Sequence, residues 1–127
     1  MNDSTIDFKT SAIHFLELTA VGKVTEAFDL YVSADFRHHN TSFKGDASSL
    51  KEAMLESAAY LPAKKLEVQF AITEGNRVAI YSKVVIYPGE PGVALVHFFR
   101  FENNKIAELW DLAQAPPDEI INENGLF

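Results

Sequence analysis

Hydrophobic positions recur at helical spacing through the first half of the chain and alternate through the second. Ala12, Ile13, Phe15, Leu16 and Ala20 mark one face of a first helix, which Gly22 ends. Ser4 and Asp7 stand ahead of it at capping-box spacing, with Asp in place of Glu. Val24, Ala27, Phe28 and Tyr31 continue at the same period. A third helix is predicted from near Asp46, with Ser49 and Glu52 as a capping pair. Leu50, Ala53, Met54, Ala58 and Leu61 form its apolar stripe, and Pro62 stops it.

In the second half, Val68, Phe70 and Ile72 alternate with Gln69, Ala71 and Thr73. A Glu74-Gly75-Asn76 turn leads into Val78 through Tyr87, rich in β-branched and aromatic residues. Pro88 through Gly92 is a loop by its punctuation. Val93–Glu102 and Lys105–Ala113 then read as a hairpin around Asn103-Asn104, since asparagine tolerates the left-handed backbone of a tight turn. Helices followed by an antiparallel meander predict an α+β fold, with helices laid on one face of a curved sheet. Both faces of the last two strands are apolar, yet helices can cover only one. Val96, Phe98, Ile106, Trp110 and Leu112 are therefore expected to meet a second copy of the chain in a homodimer.

The 127 residues, 47% hydrophobic with ten Phe, suit a single domain over 1–127 with a real core. The chain has no Cys, which removes disulfides, thiolate catalysis and Cys-ligated metals. Met1-Asn2-Asp3-Ser4 has neither a basic nor an apolar region, so no secretory leader is expected. No apolar run approaches the ~18 residues of a membrane span. These features predict a cytoplasmic protein without membrane contact. A net charge of −7 argues against nucleic acid, which calls for a basic stripe. The Lys64-Lys65 pair reads as a solvated strand entrance, and Lys83 as solvent-facing.

Candidate chemistry concentrates in the last hairpin. His97 and Asp111 lie on strands that pair, among Leu95, Phe99 and Leu109. A two-residue turn at Asn103-Asn104 would set them on opposite faces. A three-residue turn with a bulge shifts the register by one and sets them on the same face. The pattern leaves both registers open. On one face, the carboxylate can serve as a general base; otherwise it is a polar residue satisfied by backbone donors. His38 and His39 are neighbours, so strand alternation lets only one face the cavity of His97. That argues against a three-histidine metal site, and no metal is expected. No G-x-S-x-G elbow exposes a serine nucleophile.

The run from His97 through Gln114 is similar to the terminal hairpin of SnoaL-like proteins, whose pattern is roughly polar-x-F-R-x-x-x-G-K-I-x-E-x-W-D-x-x-Q. Phe36 to Asn40 resembles that family's Y-x-Q-H-N, matching at His39 and Asn40. The tail Asn122 to Phe127 is like its N-x-N-G-M-F ending. These proteins belong to the nuclear transport factor 2-like, cystatin-like superfamily. The resemblance implies a cone-shaped bent sheet around an N-terminal helix, a pocket between them and dimerisation through the sheet. It also implies an Asp at the Asp111 position acting as acid/base in aldol closure, without metal or organic cofactor. Many bacterial relatives carry Asp where this chain has His97, His at Leu109, Gln at His38 and Gly at Asn104. An Asp-His pair suited to proton transfer is thus expected in place of two carboxylates. Asp111 is expected to take a proton alpha to a carbonyl, and His97 to hydrogen-bond the enolate or return the proton. His39 and Asn40 would orient an oxygen, and Phe99 and Leu109 would line the site. The ligand would be a small hydrophobic or aromatic carbonyl compound, and non-catalytic binding is the alternative.

Overall fold

Two aspartates start the first and third helices. In the computed structural model, which describes residues 7–127, helix α1 (Phe8–Ala20) begins at Asp7. The Asp7 carboxylate accepts from the amides of Lys9 and Thr10 at 3.1 and 3.3 Å. Ser4, the expected partner in that cap, lies outside the described residues. Helix α2 (Val24–Tyr31) follows a turn at Gly22, whose φ of +88° is left-handed. Helix α3 (Ala47–Tyr60) is capped by Asp46, which accepts from the Ser49 amide at 3.2 Å. The expected Ser49–Glu52 pair is therefore not the cap.

The strands are β1 (Val32–His38), β2 (Lys65–Glu74), β3 (Arg77–Val85), β4 (Val93–Glu102) and β5 (Lys105–Gln114). They form one open sheet in the order β1-β5-β4-β3-β2. β1 is parallel to β5, and the other neighbours are antiparallel. The fold is α+β as expected, and the extended backbone that the alternation of His38 and His39 requires reaches back to Val32 as β1. Its inward residues Phe36 and His38 are buried. The core lies between the helices and the inner sheet face, where Phe15, Leu16, Val24, Ile80, Phe99 and Ile106 are almost completely buried.

Two β-bulges decide which side chains join that core. In β2 the register shifts between Val68 and Phe70. Leu66, Val68 and Ala71 consequently pack on the core, while Phe70 and Ile72 face outward and are exposed. The uninterrupted Val68-Phe70-Ile72 face expected from alternation does not exist. In the last hairpin Phe101 pairs with Ile106, but Arg100 pairs with Glu108, so Ala107 is left without a partner. Beyond Ala107 the ladder runs one residue out of step with the turn.

The turn itself has two residues, Asn103 and Asn104, at φ of 51° and 64°. That is the double left-handed form that matches strand twist. Ile106 is corrected by the same bulge. Expected on the outer face with Trp110 and Leu112, it lies on the turn side of Ala107 and is fully buried in the core.

A left-handed backbone position is strained for a β-branched side chain and free for glycine. Asn104→Gly is expected to raise stability by about 0.5 kcal/mol, and Asn104→Val to lower it by roughly 1–3 kcal/mol. Urea denaturation of both variants checks this; equal effects would show that the turn is not left-handed.

Candidate active site

The bulge at Ala107 brings His97 and Asp111 directly opposite each other across β4 and β5. Residues paired in this way point to the same face with their Cβ atoms ~5 Å apart. Both line a cavity of about 330 Å³ between α1, α3 and the inner sheet face. Most of the wall is apolar, including Leu16, Leu50, Met54, Leu66 and Leu95. The polar lining is Thr19, Asn40, Ser57, Lys64, His97 and Asp111.

His97 is only 6% exposed. Its Nδ1 is buried without a protein hydrogen-bond partner. Burial pushes its pKa down to about 4, against the pull of the nearby Asp111 charge. The ring is neutral near pH 7, with one N–H to give. Phe99 stacks behind it, with centroids 5.9 Å apart. Ser82 is its diagonal neighbour on β3, and the Ser82 hydroxyl is likewise buried without a partner. Unsatisfied polar groups are costly in a core, and these two stand beside each other on the inner sheet face.

Asp111 is held from the loop after β1. The Asn40 amide nitrogen donates to Asp111 Oδ2 at 3.3 Å, while Asn40 Oδ1 accepts from the Ser42 amide at 3.0 Å. The second bond fixes which end of the Asn40 amide faces the carboxylate. His38 secures the same loop: Nε2 donates to the Lys44 carbonyl at 2.5 Å, and Nδ1 accepts from the Asn40 amide at 3.1 Å. Among the described residues, Asn40 is the one side chain that hydrogen-bonds the Asp111 carboxylate.

Several expected site residues stand elsewhere. His39 does not reach the cavity. Alternation along β1 sends Phe36 and His38 inward, so Arg37 and His39 point out. His39 stacks on Trp110 at 5.0 Å and bonds Glu108 through Nε2 at 2.6 Å. Phe36 carried the missing signal, because an apolar residue two positions before His38 puts that histidine on its own side. Phe99 and Leu109 do not line the cavity either; both are buried in the core beneath it. Lys64 is the reverse case. Expected in solvent, it is half-buried in the cavity wall, and its Nζ donates to Ser57 Oγ at 2.8 Å. Lys83 is on the outward face of β3 as expected, and its ammonium lies 5.5 Å from the Phe127 ring of the C-terminal tail.

On the outer face, composition gave no sign of Glu108. Its carboxylate is buried and accepts from Arg37 Nε at 2.9 Å, Arg37 Nη2 at 3.2 Å, Arg100 Nε at 3.0 Å and His39. Hydrogen bonding by Arg37 first, then by His39 and Arg100, holds its pKa at about 2 although burial acts the other way. The Arg100 and Glu108 letters of the SnoaL-like pattern were the available clue. Among the described residues, no cluster of three His, Asp or Glu side chains could hold a metal.

No protein-family model and no curated protein matches the sequence. Solved structures do. A proposed polyketide cyclase from Acidithiobacillus ferrooxidans is 19% identical with a TM-score of 0.68, over 89% of this chain and 91% of that one. An NTF2-like protein of unknown function from Cytophaga hutchinsonii is 15% identical with a TM-score of 0.69, over 90% and 95%. An uncharacterised cystatin-fold protein from Novosphingobium aromaticivorans is 17% identical with a TM-score of 0.66, over 85% and 99%. The protein has the SnoaL-like, NTF2-like fold. At these identities the likeness establishes the architecture alone. Within the SnoaL-like fold, the Ala107 bulge and the Asn40 loop are what bring His97, Asp111 and Asn40 to one cavity.

Both shifted groups make stability fall with acid. His97 titrates at about 4 folded and near 6.5 unfolded, so the unfolded chain binds the extra proton between those values. Its contribution is complete above pH ~6.5 and gone below ~4. Glu108 titrates at about 2 folded and 4.5 unfolded, so its contribution is complete above 4.5 and lost as pH falls through 2. Urea midpoints measured from pH 8 to 2 should decline in two stages. His97→Gln should flatten the upper stage and Glu108→Gln the lower; an unchanged profile in either variant would contradict the assignment.

Proposed function

We propose that the protein is a cofactor-free acid/base catalyst acting on a small hydrophobic carbonyl compound, by aldol-type cyclisation, isomerisation or dehydration. The observation that supports this reading is the paired, same-face placement of a neutral, buried His97 and an Asp111 carboxylate in an apolar cavity. Asp111 takes the proton alpha to the carbonyl. The enolate oxygen accepts a hydrogen bond from the N–H of His97, which is uncharged and needs no proton loss to donate. Asn40 is a positioning residue, holding one carboxylate oxygen of Asp111. His38 shapes the Asn40 loop without touching the cavity. A cytoplasmic location belongs to the same reading, supported by the lack of Cys; no helix of the described residues is long and apolar enough to cross a membrane. The proposed cyclase from A. ferrooxidans, which shares this fold, is compatible with this chemistry but does not specify it.

Deuterium uptake alpha to the carbonyl of 4-phenyl-2-butanone, followed by proton NMR, tests the base. The parent should accelerate exchange, and Asp111→Asn should remove a factor of about 100 or more, the usual worth of a positioned base. Asp111→Asn within about tenfold of the parent, ~1.4 kcal/mol of barrier, overturns the assignment. Measurable binding without any accelerated exchange in the parent supports non-catalytic ligand binding instead.

The outer sheet face belongs to the same proposal. Phe98 is 40% and Leu112 67% exposed, with Val96 and Trp110 between them. The C-terminal tail meets the β3 side of this face through Tyr81 and Lys83. A second copy, meeting it face to face about a two-fold axis, fits an apolar patch with a charged border at Arg37, Arg100 and Glu102. Sedimentation should give a dimer at micromolar concentration, and Phe98→Glu a folded monomer. A monomeric parent refutes the dimer.

A further inference from the structure

The cavity holds a cation that the proposed proton transfer does not use. Lys64 immediately precedes β2, and Asp111 lies on β5, three strands away across the sheet. Asp111 is level with Ala71 of β2, seven residues beyond Lys64, so the two are separated along the strands as well as across them, and both line the same cavity. The two charged groups therefore stand on opposite walls of one space. Strand parity explains why Lys64 is there: Lys65 pairs outward with Val85 and Leu66 packs inward, so Lys64 shares the inner side with Leu66.

Its surroundings are those of a binding group. Among the described residues, Lys64 makes no ion pair, and its single side-chain hydrogen bond is the one to Ser57 Oγ. An ammonium has three donors, so two remain for a ligand. The neighbouring wall is apolar, formed by Leu16, Met54 and Leu66. There water competes weakly and a charge-assisted hydrogen bond is strengthened. Burial lowers the Lys64 pKa, as expected of an ammonium with no anion beside it. A bound carboxylate would supply that anion.

We propose that Lys64, oriented by Ser57, anchors a carboxylate at the far end of the ligand from the reacting carbonyl, so that the substrate class is an oxo acid with an apolar middle. This rests on the cavity being the ligand site, though not on Asp111 acting as a base. The charge pattern also sets the ligand's direction. Its anionic end is drawn to Lys64 and repelled by Asp111, which leaves the carbonyl between His97 and Asp111.

A matched pair of probes isolates the anchor: 4-oxo-4-phenylbutanoate and its methyl ester, titrated calorimetrically at pH 7. The parent should bind the acid about tenfold or more tighter than the ester, in keeping with a hydrogen bond to a charged group. Lys64→Met should abolish that preference while leaving ester affinity within about threefold, and Lys64→Arg should retain part of it. Should Lys64→Met fail to fold, Lys64→Gln takes its place, and Ser57→Ala should reduce the preference without eliminating it. Equal binding of acid and ester by the parent overturns the anchor. So does a preference that survives Lys64→Met or Lys64→Gln, or binding of neither probe at millimolar concentration. Asp111→Asn separates this from the proton-transfer proposal. If exchange persists in Asp111→Asn while the parent still selects the acid, the base is wrong and the anchor stands. If exchange is lost and the parent ignores the carboxylate, the reverse holds.

Discussion

Ala107 sits in the last hairpin with no residue opposite it, and the chemistry of both sheet faces depends on that one gap. A two-residue turn at Asn103-Asn104 followed by a regular ladder would pair His97 with Trp110 and Phe99 with Glu108. The carboxylate of Glu108 would then enter the core against Phe15 and Phe99, and Asp111 would leave the cavity. The bulge reverses both assignments at once. Ala107 itself is buried and small, so the extra residue is absorbed where Phe101 and Ile106 close the core. The His97–Asp111 pair inside and a satisfied carboxylate outside are two results of one irregularity.

Glu108 and Asp111 have opposite surroundings. Glu108 meets three donor side chains, from β1, β4 and the loop after β1, and is held ionised. It links those segments where the β1–β5 pairing is interrupted between Val32 and Arg37. Because His39 joins this network from outside while His38 braces the loop from inside, the segment carrying Asn40 is fixed on both sides. Among the described residues, Asp111 receives one hydrogen bond, from Asn40. A carboxylate saturated by guanidinium groups is a poor base, whereas one held at a single oxygen retains its lone pairs for a proton. The sheet thus places two carboxylates of opposite surroundings three residues apart on β5.

The parts of this fold that were legible in the sequence are those built from repetition. The apolar stripes gave the helices, and runs of β-branched and aromatic residues gave β2 to β5. Motif likeness in His97–Gln114 gave the architecture. What escaped was irregular. Neither bulge involves glycine, so Gln69 and Ala107 look like any other strand positions. β1 is short, partly exposed and pairs in parallel with a strand some seventy residues later in the chain, a long-range contact that leaves no local pattern. Lys64 was misassigned because adjacent lysines read as solvated, although alternation back from Leu66 turns one of them inward. The motif points to His39, whereas the face that Phe36 defines turns His38 inward.

In the proposed reaction, the neutrality of His97 constrains how protons move. An imidazole with a pKa near 4 carries no spare proton at pH 7, so it can stabilise an enolate by donating a hydrogen bond but does not serve as a ready acid. Once Asp111 has accepted the alpha proton, it becomes the one acid of the pair. A proton returned to carbon or to an aldol alkoxide then comes from Asp111, on the same side of the substrate from which it left. That favours reactions whose two proton transfers share one face, and it requires the intermediate to stay in place between them. An apolar wall alone would let a small enolate tumble. A charged anchor on the opposite side of the cavity would hold it, which gives the Lys64 ammonium a role in stereochemistry as well as in affinity.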